Sequence, residues 1–297
     1  MKKCPLCYTE AKYRFGLGHT AAWACVSPVC GLLFADPQLD EKSLKHAYTA
    51  HYYPSNGNGN GNGNGKSTSY ENTPEEILRQ TFNRAESELG PLVGKNLLDF
   101  GCGVGGLCKI ASEYGIRVSG IEPDANAREK ALKSSDLRVN ASLDGLRQTQ
   151  PEAKFDIVTM WDVIEHLREP WKVLEELSTV LQPDGWLLLS TPNAASLRAR
   201  LQRDRWENMV NPTHFYYFTR KSLESALVKG GFFEFTELRF PIRYPGHGWA
   251  RQLLHQALVS CQMQGQLVFL ARQSKFESAN GLRHVEENHV AGVHAGG

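Results

Sequence analysis

The sequence is short of net charge and of long apolar runs, and both shortages exclude functions. Lysine plus arginine number 33 against 32 for aspartate plus glutamate, so no overall field draws the chain toward a polyanion and a nucleic-acid substrate is disfavoured. No run approaches the roughly 20 apolar residues needed to cross a bilayer, so no membrane span is expected. The opening Met1-Lys2-Lys3-Cys4-Pro5 lacks the apolar stretch of a secretory signal. These absences point to a soluble, cytoplasmic protein. In that compartment the seven cysteines are expected as thiols or metal ligands instead of disulfides.

What is present fits one catalytic domain with an appendage. At 297 residues and 41% hydrophobic, the chain can bury a full α/β core and still carry a small module. Cys4-x2-Cys7 is followed after 17 residues by Cys25-x4-Cys30-Gly31, the form of a four-thiolate zinc ribbon with each pair on a tight knuckle. Val26-Ser27-Pro28-Val29 makes the second knuckle longer than the usual two-residue spacer. The ribbon is placed at residues 1–35, with strands at 12–17 and 23–25 too short to hold together without metal. Cys102, Cys108 and Cys261 read as buried structural thiols.

Residues 36–72 read as a connector. Phe34 at its entry, then Leu44, Tyr48, Tyr52 and Tyr53, form an aromatic segment that either packs at a substrate mouth or ties two modules together. The connector ends in a five-fold Asn-Gly repeat at 56–65, which has nothing apolar to offset the entropy of ordering and is expected to be flexible. Thr73 as N-cap and Pro74 at the first helical position open a helix. Extended and helical patterns then alternate: 96–100, 107–114, 117–121, 125–133 and 137–140, then a helix from Pro170 to near Leu181. Such alternation implies a parallel sheet covered on both faces. The last two strands are expected at 232–238 and 266–272 as an antiparallel pair, with an inserted helix-like run at 249–261 as lid or decoration. Residues 274–297 are polar and aperiodic and are expected to be disordered.

The chemistry centres on Leu97-Leu98-Asp99-Phe100-Gly101-Cys102-Gly103-Val104-Gly105-Gly106. An apolar strand breaks there into a glycine-dense turn that opens a helix, a backbone able to approach a nucleotide-like ligand closely. Glu122 lies about 20 residues on, after a second apolar run, where an acid can accept hydrogen bonds from both hydroxyls of a ribose. Dinucleotide sites place G-x-G-x-x-G against a pyrophosphate. Here Asp99 stands inside the strand end, where a carboxylate would repel phosphate but attract an ammonium.

This D-x-G-C-G-x-G resembles motif I of the class I S-adenosylmethionine (SAM)-dependent methyltransferases. Phe155-Asp156-Ile157-Val158-Thr159-Met160-Trp161-Asp162-Val163-Ile164-Glu165-His166-Leu167 resembles the family's fourth strand and following loop. Leu181-Gln182-Pro183-Asp184-Gly185-Trp186-Leu187-Leu188-Leu189-Ser190-Thr191-Pro192-Asn193 resembles its helix end, turn and fifth strand. In wording the chain is most similar to O-methyltransferases of the ubiquinone-biosynthesis type, over residues 73–272. The resemblance implies a Rossmann-like, seven-stranded SAM methyltransferase sheet at 73–273. It implies that Gly101 and Gly103 approach the methionine part of SAM, Glu122 holds the ribose, and Ser142 and Leu143 flank the adenine. Trp161 falls where relatives place a large apolar cofactor contact, although ordinary core packing explains a tryptophan there equally well.

Methyl transfer to a hydroxyl needs alignment and removal of a proton, so a general base or a metal is required. Two histidines stand in suitable places. His166 lies in Asp162-x-x-Glu165-His166, which resembles a D/E-x-x-E-H pattern associated with a divalent cation. On a helix those positions share one face and could hold Mg²⁺; equally, Asp162 and Glu165 could form a capping-box pair without metal. His214, in Asn211-Pro212-Thr213-His214-Phe215-Tyr216-Tyr217-Phe218-Thr219, resembles a segment lining the acceptor pocket, and its alternative is a helix cap. Of the two, His214 is ranked first as catalytic. The activity expected is methylation of a hydroxyl on a small-molecule or glycan intermediate. The alternatives are N- or C-methylation of a sugar or secondary-metabolite acceptor, and a non-catalytic SAM-binding scaffold.

Overall fold

A computed structural model describes residues 1–18, 20–51, 75–134, 137–239 and 248–273. The Asn-Gly repeat, Tyr52, Tyr53, the Thr73-Pro74 helix start and the segment from 274 onward lie outside the described residues. The N-terminal strands are β1 (Ala11–Gly16), β2 (Ala21–Cys25) and β3 (Leu33–Asp36), followed by helix α1 (Glu41–His51). Helix α2 (Glu75–Leu89) leads into β4 (Asn96–Phe100), α3 (Gly106–Glu113), β5 (Arg117–Ile121), α4 (Ala125–Ser134), β6 (Arg138–Asn140) and α5 (Leu143–Thr149). The chain continues through β7 (Phe155–Trp161), α6 (Pro170–Ser178), β8 (Leu181–Pro192), α7 (Leu197–Gln202), α8 (Glu207–Val210) and β9 (Tyr216–Tyr217). It closes with α9 (Arg220–Lys229), β10 (Glu234–Glu237), α10 (Trp249–Ser260) and β11 (Gln266–Arg272).

Strands β10-β11-β8-β7-β4-β5-β6, in that spatial order, form a seven-stranded sheet. Strands β6, β5, β4, β7 and β8 run parallel, and β11 is antiparallel to both β8 and β10. This is the Rossmann-like, seven-stranded sheet that the resemblance implies, with the expected antiparallel pair at its edge. Central strands are apolar on both faces: Leu97, Leu98, Val158, Met160, Leu187 and Leu189 have almost no exposed surface. Helices α2 and α3 cover one face through Leu78, Phe82, Leu107 and Ile110. On the other face, α6 and α9 pack Leu174, Leu177, Leu223 and Leu227.

Several boundaries differ from the sequence reading. Helix α6 stops at Ser178, because Leu181 already pairs with Phe155 as the first residue of β8. Helix α5 follows β6 directly, capped by Ser142, whose Oγ accepts from Gly145 N at 3.1 Å. Cys102 and Cys108 are buried as expected, but Cys261 is exposed at the C-terminus of α10.

The N-terminal strands do not form a separate bead. Strand β3 spans the division placed at residue 35, and its far edge pairs with β9, Phe34 opposite Tyr216 and Leu33 opposite Tyr217. A second sheet of order β1-β2-β3-β9 results. Leu6, Leu32 and Phe34 belong to the same apolar cluster as Leu174, Phe215 and Phe218. The Lys229 ammonium, at the end of α9, donates to the Leu6 carbonyl at 2.7 Å and lies 4.5 Å from the ring centres of both Tyr8 and Trp171.

Candidate active site

The glycine turn joins β4 to α3 at the carboxyl end of the parallel strands, where ligands of such sheets bind. Gly101, Gly103 and Gly105 all have positive φ, at 82°, 53° and 88°. At Gly101 the requirement is double, since a Cβ there would come within 2.6 Å of Val163 Cγ2. Amides of Gly101 and Cys102 both donate to the Ile121 carbonyl, at 2.8 and 3.0 Å, which ties the turn to the end of β5.

Glu122, next after β5, is drawn onto this turn. Its Oε2 accepts from Gly103 N at 2.9 Å and its Oε1 from Asp124 N at 2.8 Å. Burial raises its pKa while those two amides lower it. Each carboxylate oxygen has a lone pair left after one amide bond, so the donor set suits two ribose hydroxyls. Asp99 is different. It has no exposed surface, and its carboxylate accepts from Thr159 Oγ1 at 2.7 Å and from the Cys108 thiol at 3.4 Å. It sits beneath the turn and touches the loop's supports. Trp161 is likewise enclosed, in the cluster with Leu188, Leu238 and Val268. Leu143 is buried in the core with Leu146, while Ser142 is exposed.

The motif after β7 folds otherwise than its spacing suggests. Ile164–His166 is a single 3-10 turn preceded by Val163, with no side-chain cap, so the capping-box reading of Asp162 and Glu165 does not hold. Nor does Asp162 join Glu165 and His166 as a third ligand. It ends the strand at φ 54°, and its carboxylate accepts from Ser190 Oγ at 3.1 Å and from Gln266 Nε2. His214 takes the place expected of Asp162: ligand atoms of Glu165, His166 and His214 all lie within 4.8 Å of one another. The short turn lacks the α-helical face that would bring positions i, i+3 and i+4 together, and β9 delivers the third side chain instead. Phe215 N donates to the Glu165 carbonyl at 2.8 Å, which fixes that delivery.

Within this cluster the two imidazoles meet edge to face, ring centres 4.5 Å apart. His166 Nδ1 lies 3.0 Å from the Thr213 carbonyl oxygen. A carbonyl only accepts, so Nδ1 carries a proton and Nε2 is the ring nitrogen that can take up or release one. Glu165 is 1% exposed, with Oε2 accepting from Thr191 Oγ1 at 2.9 Å and Oε1 without a hydrogen-bond partner among the described residues. Burial, reinforced by Asp162, pushes its pKa well above the carboxylate range. A buried acid and two imidazoles meeting in one corner form either a proton-accepting group or a two-imidazole, one-carboxylate cation site.

Cys4, Cys7, Cys25 and Cys30 also converge, their sulfurs all within 4.8 Å of one another. Cys4 and Cys30 sulfurs are 3.8 Å apart and those of Cys7 and Cys25 3.4 Å. Tetrahedral thiolates around zinc at about 2.3 Å would stand roughly 3.8 Å apart, so the set fits that ion. Without a cation the crowding splits their titration: the hydrogen bond from Cys30 lowers Cys4 to about 5, and burial raises Cys25 to about 11. Gly31, at φ 57°, closes the second knuckle.

Comparison with known proteins follows the same division. Residues 71–233 match a family described as "Methyltransferase domain". A protein named ubiquinone biosynthesis O-methyltransferase from Leptothrix cholodnii is 34% identical over 118 residues, covering 37% of this chain and 50% of that one. Its namesake from Haemophilus ducreyi is 33% identical over 127 residues, covering 38% and 51%. The chain thus spans about half the length of the curated relatives it matches. A solved structure, the plantazolicin methyltransferase BamL in complex with a desmethyl analogue and S-adenosylhomocysteine (SAH), superposes with TM-score 0.50 at 15% identity, covering 69% of this chain and 87% of that one. It shows likeness of fold. Among the described residues no helix is long and apolar enough to cross a membrane.

Proposed function

The chain belongs to the methyltransferase domain family, and on that premise we propose that it transfers a methyl group from SAM to a hydroxyl of a small-molecule acceptor. Glu122 carries the cofactor assignment: a buried acid, bonded to the Gly103 amide, sits with free lone pairs beside a turn that only glycine can make. SAM bound there supplies a methyl group on a sulfonium, with no phosphate for the neighbouring acids to repel. Gly101 and Gly103 hold the methionine part, Glu122 the ribose, and the Ser142 end of α5 the adenine. Asp99 and Trp161 support the site from below, Asp99 by fixing β7 and α3 through Thr159 and Cys108.

The buried cluster beyond β7 favours oxygen as the accepting atom. A phenol or alcohol has to lose its proton as it attacks, and His166 Nε2 and His214 offer imidazole lone pairs for that proton. Through its Nδ1 bond to Thr213, His166 is held in the basic tautomer, while His214 is fixed by the same loop. A second reading has its own observation: Glu165, His166 and His214 converge closely enough to hold a divalent cation, which would activate the acceptor by lowering its pKa. The thiolates of Cys4, Cys7, Cys25 and Cys30 hold structural zinc.

Formation of SAH from SAM in the presence of a panel of hydroxylated acceptors tests the activity, and NAD binding without SAM binding would overturn it. His214→Ala is expected to lower kcat by about 10²–10⁴, the range for lost general acid–base catalysis, with SAM affinity unchanged. If a cation does the work, EDTA stops turnover and Mg²⁺ or Mn²⁺ restores it with the zinc ribbon shown intact.

A further inference from the structure

Among the described residues, Tyr8, Asp162, Arg203 and Gln262 adopt a positive φ without being glycine, and of these Asp162 is the one beside the cofactor turn. A left-handed backbone strains a residue that carries a Cβ, and it persists where neighbours over-determine it. At Asp162 the strained step follows β7 and turns Val163 onto the glycine loop. Val163 Cγ2 stands 2.6 Å from the position a Gly101 Cβ would take. Val163 is half-buried, so part of its side chain stays open beside the turn.

Side chains of two further strands hold Asp162 in place. Its amide donates to the Ser190 carbonyl and to Ser190 Oγ, each at 3.1 Å, and Ser190 Oγ donates back to Asp162 Oδ1 at 3.1 Å. Gln266, the first residue of β11, completes the set: its Nε2 donates to Asp162 Oδ1 and lies 3.3 Å from Ser190 Oγ. A hydroxyl has one proton and two lone pairs, and a side-chain amide nitrogen has two protons. Ser190 therefore gives its proton to the carboxylate and accepts from the Asp162 amide and from Gln266. Both Gln266 protons are in use. An ionised carboxylate only accepts, so the Gln266 amide has a single orientation. A network satisfied to this degree specifies one geometry, and removing a member leaves the others short.

Gln266 lies outside residues 71–233, which match the methyltransferase family, and reaches the site from the antiparallel edge of the sheet. We propose that it is a positioning residue for the cofactor: through Asp162 it sets Val163 against Gly101 and so keeps the glycine turn in the shape that receives SAM. This rests on the methyltransferase reading of that turn. Gln266 acts on Asp162 and not on the ligand.

Calorimetric titration of the full chain with SAH tests this. Gln266→Leu removes both donors at similar volume and is expected to weaken SAH binding about tenfold, the scale of one hydrogen bond to a charged group. Gln266→Asn keeps the amide but falls one methylene short of Asp162, and should lose about as much. Asp162→Gly takes a positive φ without strain yet has no carboxylate for Gln266 to hold. In that background Gln266→Leu should have no further effect on SAH. Gln264→Leu, which removes the nearby bond to Glu237 instead, should bind SAH as wild type does. Thermal unfolding of each ligand-free variant separates the two roles, since a mere brace for the sheet edge would lower the melting temperature and leave SAH affinity alone. Wild-type affinity in Gln266→Leu and Gln266→Asn, or an equal loss from Gln266→Leu with and without the Asp162 carboxylate, overturns the positioning role. Failure of the wild-type protein to bind SAH overturns the cofactor reading instead.

Discussion

Asp99 carries a pKa pushed up to about 6, because burial penalises its charged form more than the hydrogen bonds from Thr159 and Cys108 favour it. A carboxyl whose pKa is higher folded than unfolded contributes stability at pH below about 4, and that contribution is lost as pH rises through 6. Asp99→Asn keeps the shape without the charge. Its stability relative to wild type is therefore expected to rise between pH 4 and 7, by up to about 3 kcal/mol, and to level off above. Urea unfolding of the ligand-free proteins across that range measures it, and a flat difference would mean that Asp99 is not desolvated. Glu122 acts on the ligand as well as the loop. Glu122→Ala is expected to weaken SAM binding by about 1.5–3 kcal/mol, the worth of hydrogen bonds to a charged group, as read by calorimetry. Glu122→Gln should recover part of the loss, since an amide still accepts from Gly103. These two acids also show how far single residues are legible in the sequence. Glu122 is found by its distance from the glycines. Asp99 is found too, but nothing local says that Thr159, sixty positions on, closes over it.

Among elements, the strands and helices of the main sheet follow apolar periodicity closely, because each buries one or two faces against the same core. Short elements held by partners far along the chain escape such reading. Helix α5 is announced only by Ser142 as a cap, and the turn Ile164–His166 has a spacing that imitates an α-helix. Strand β9, two residues long, carries no pattern of its own, yet it places His214 against Glu165 and His166. It is also the outer strand of the N-terminal sheet, whose strand β2 ends in Cys25. Chelation of the ribbon metal should therefore reach the site. Amide exchange is expected to quicken in β1 to β3 and at Tyr216 and Tyr217, with β4 and β7 still protected, and turnover should fall as β9 loosens. Unchanged exchange at Tyr216 and Tyr217 after zinc loss would separate the two sheets.

For the molecule as a whole, the ribbon and the catalytic sheet share one apolar cluster through Leu6, Leu32 and Phe34. Each such buried side chain contributes about 1.5–3 kcal/mol, against a total stability on the order of 5–15 kcal/mol. The zinc-loaded protein is accordingly expected to unfold in urea as one transition, seen alike by tryptophan fluorescence and circular dichroism. After chelation an earlier, separate transition should appear, and the midpoint of the main one should fall. Two transitions in the zinc-loaded protein would show that the cluster does not couple them. The pairing of Phe34 with Tyr216 has a further consequence for how the chain comes off the ribosome. Strands β1 to β3 emerge before the catalytic sheet, and β3 keeps an open edge until most of that sheet has been synthesised. A nascent chain in that interval presents an unpaired strand to its surroundings, so chaperone contact during synthesis should concentrate on the stretch from Leu33 to Asp36.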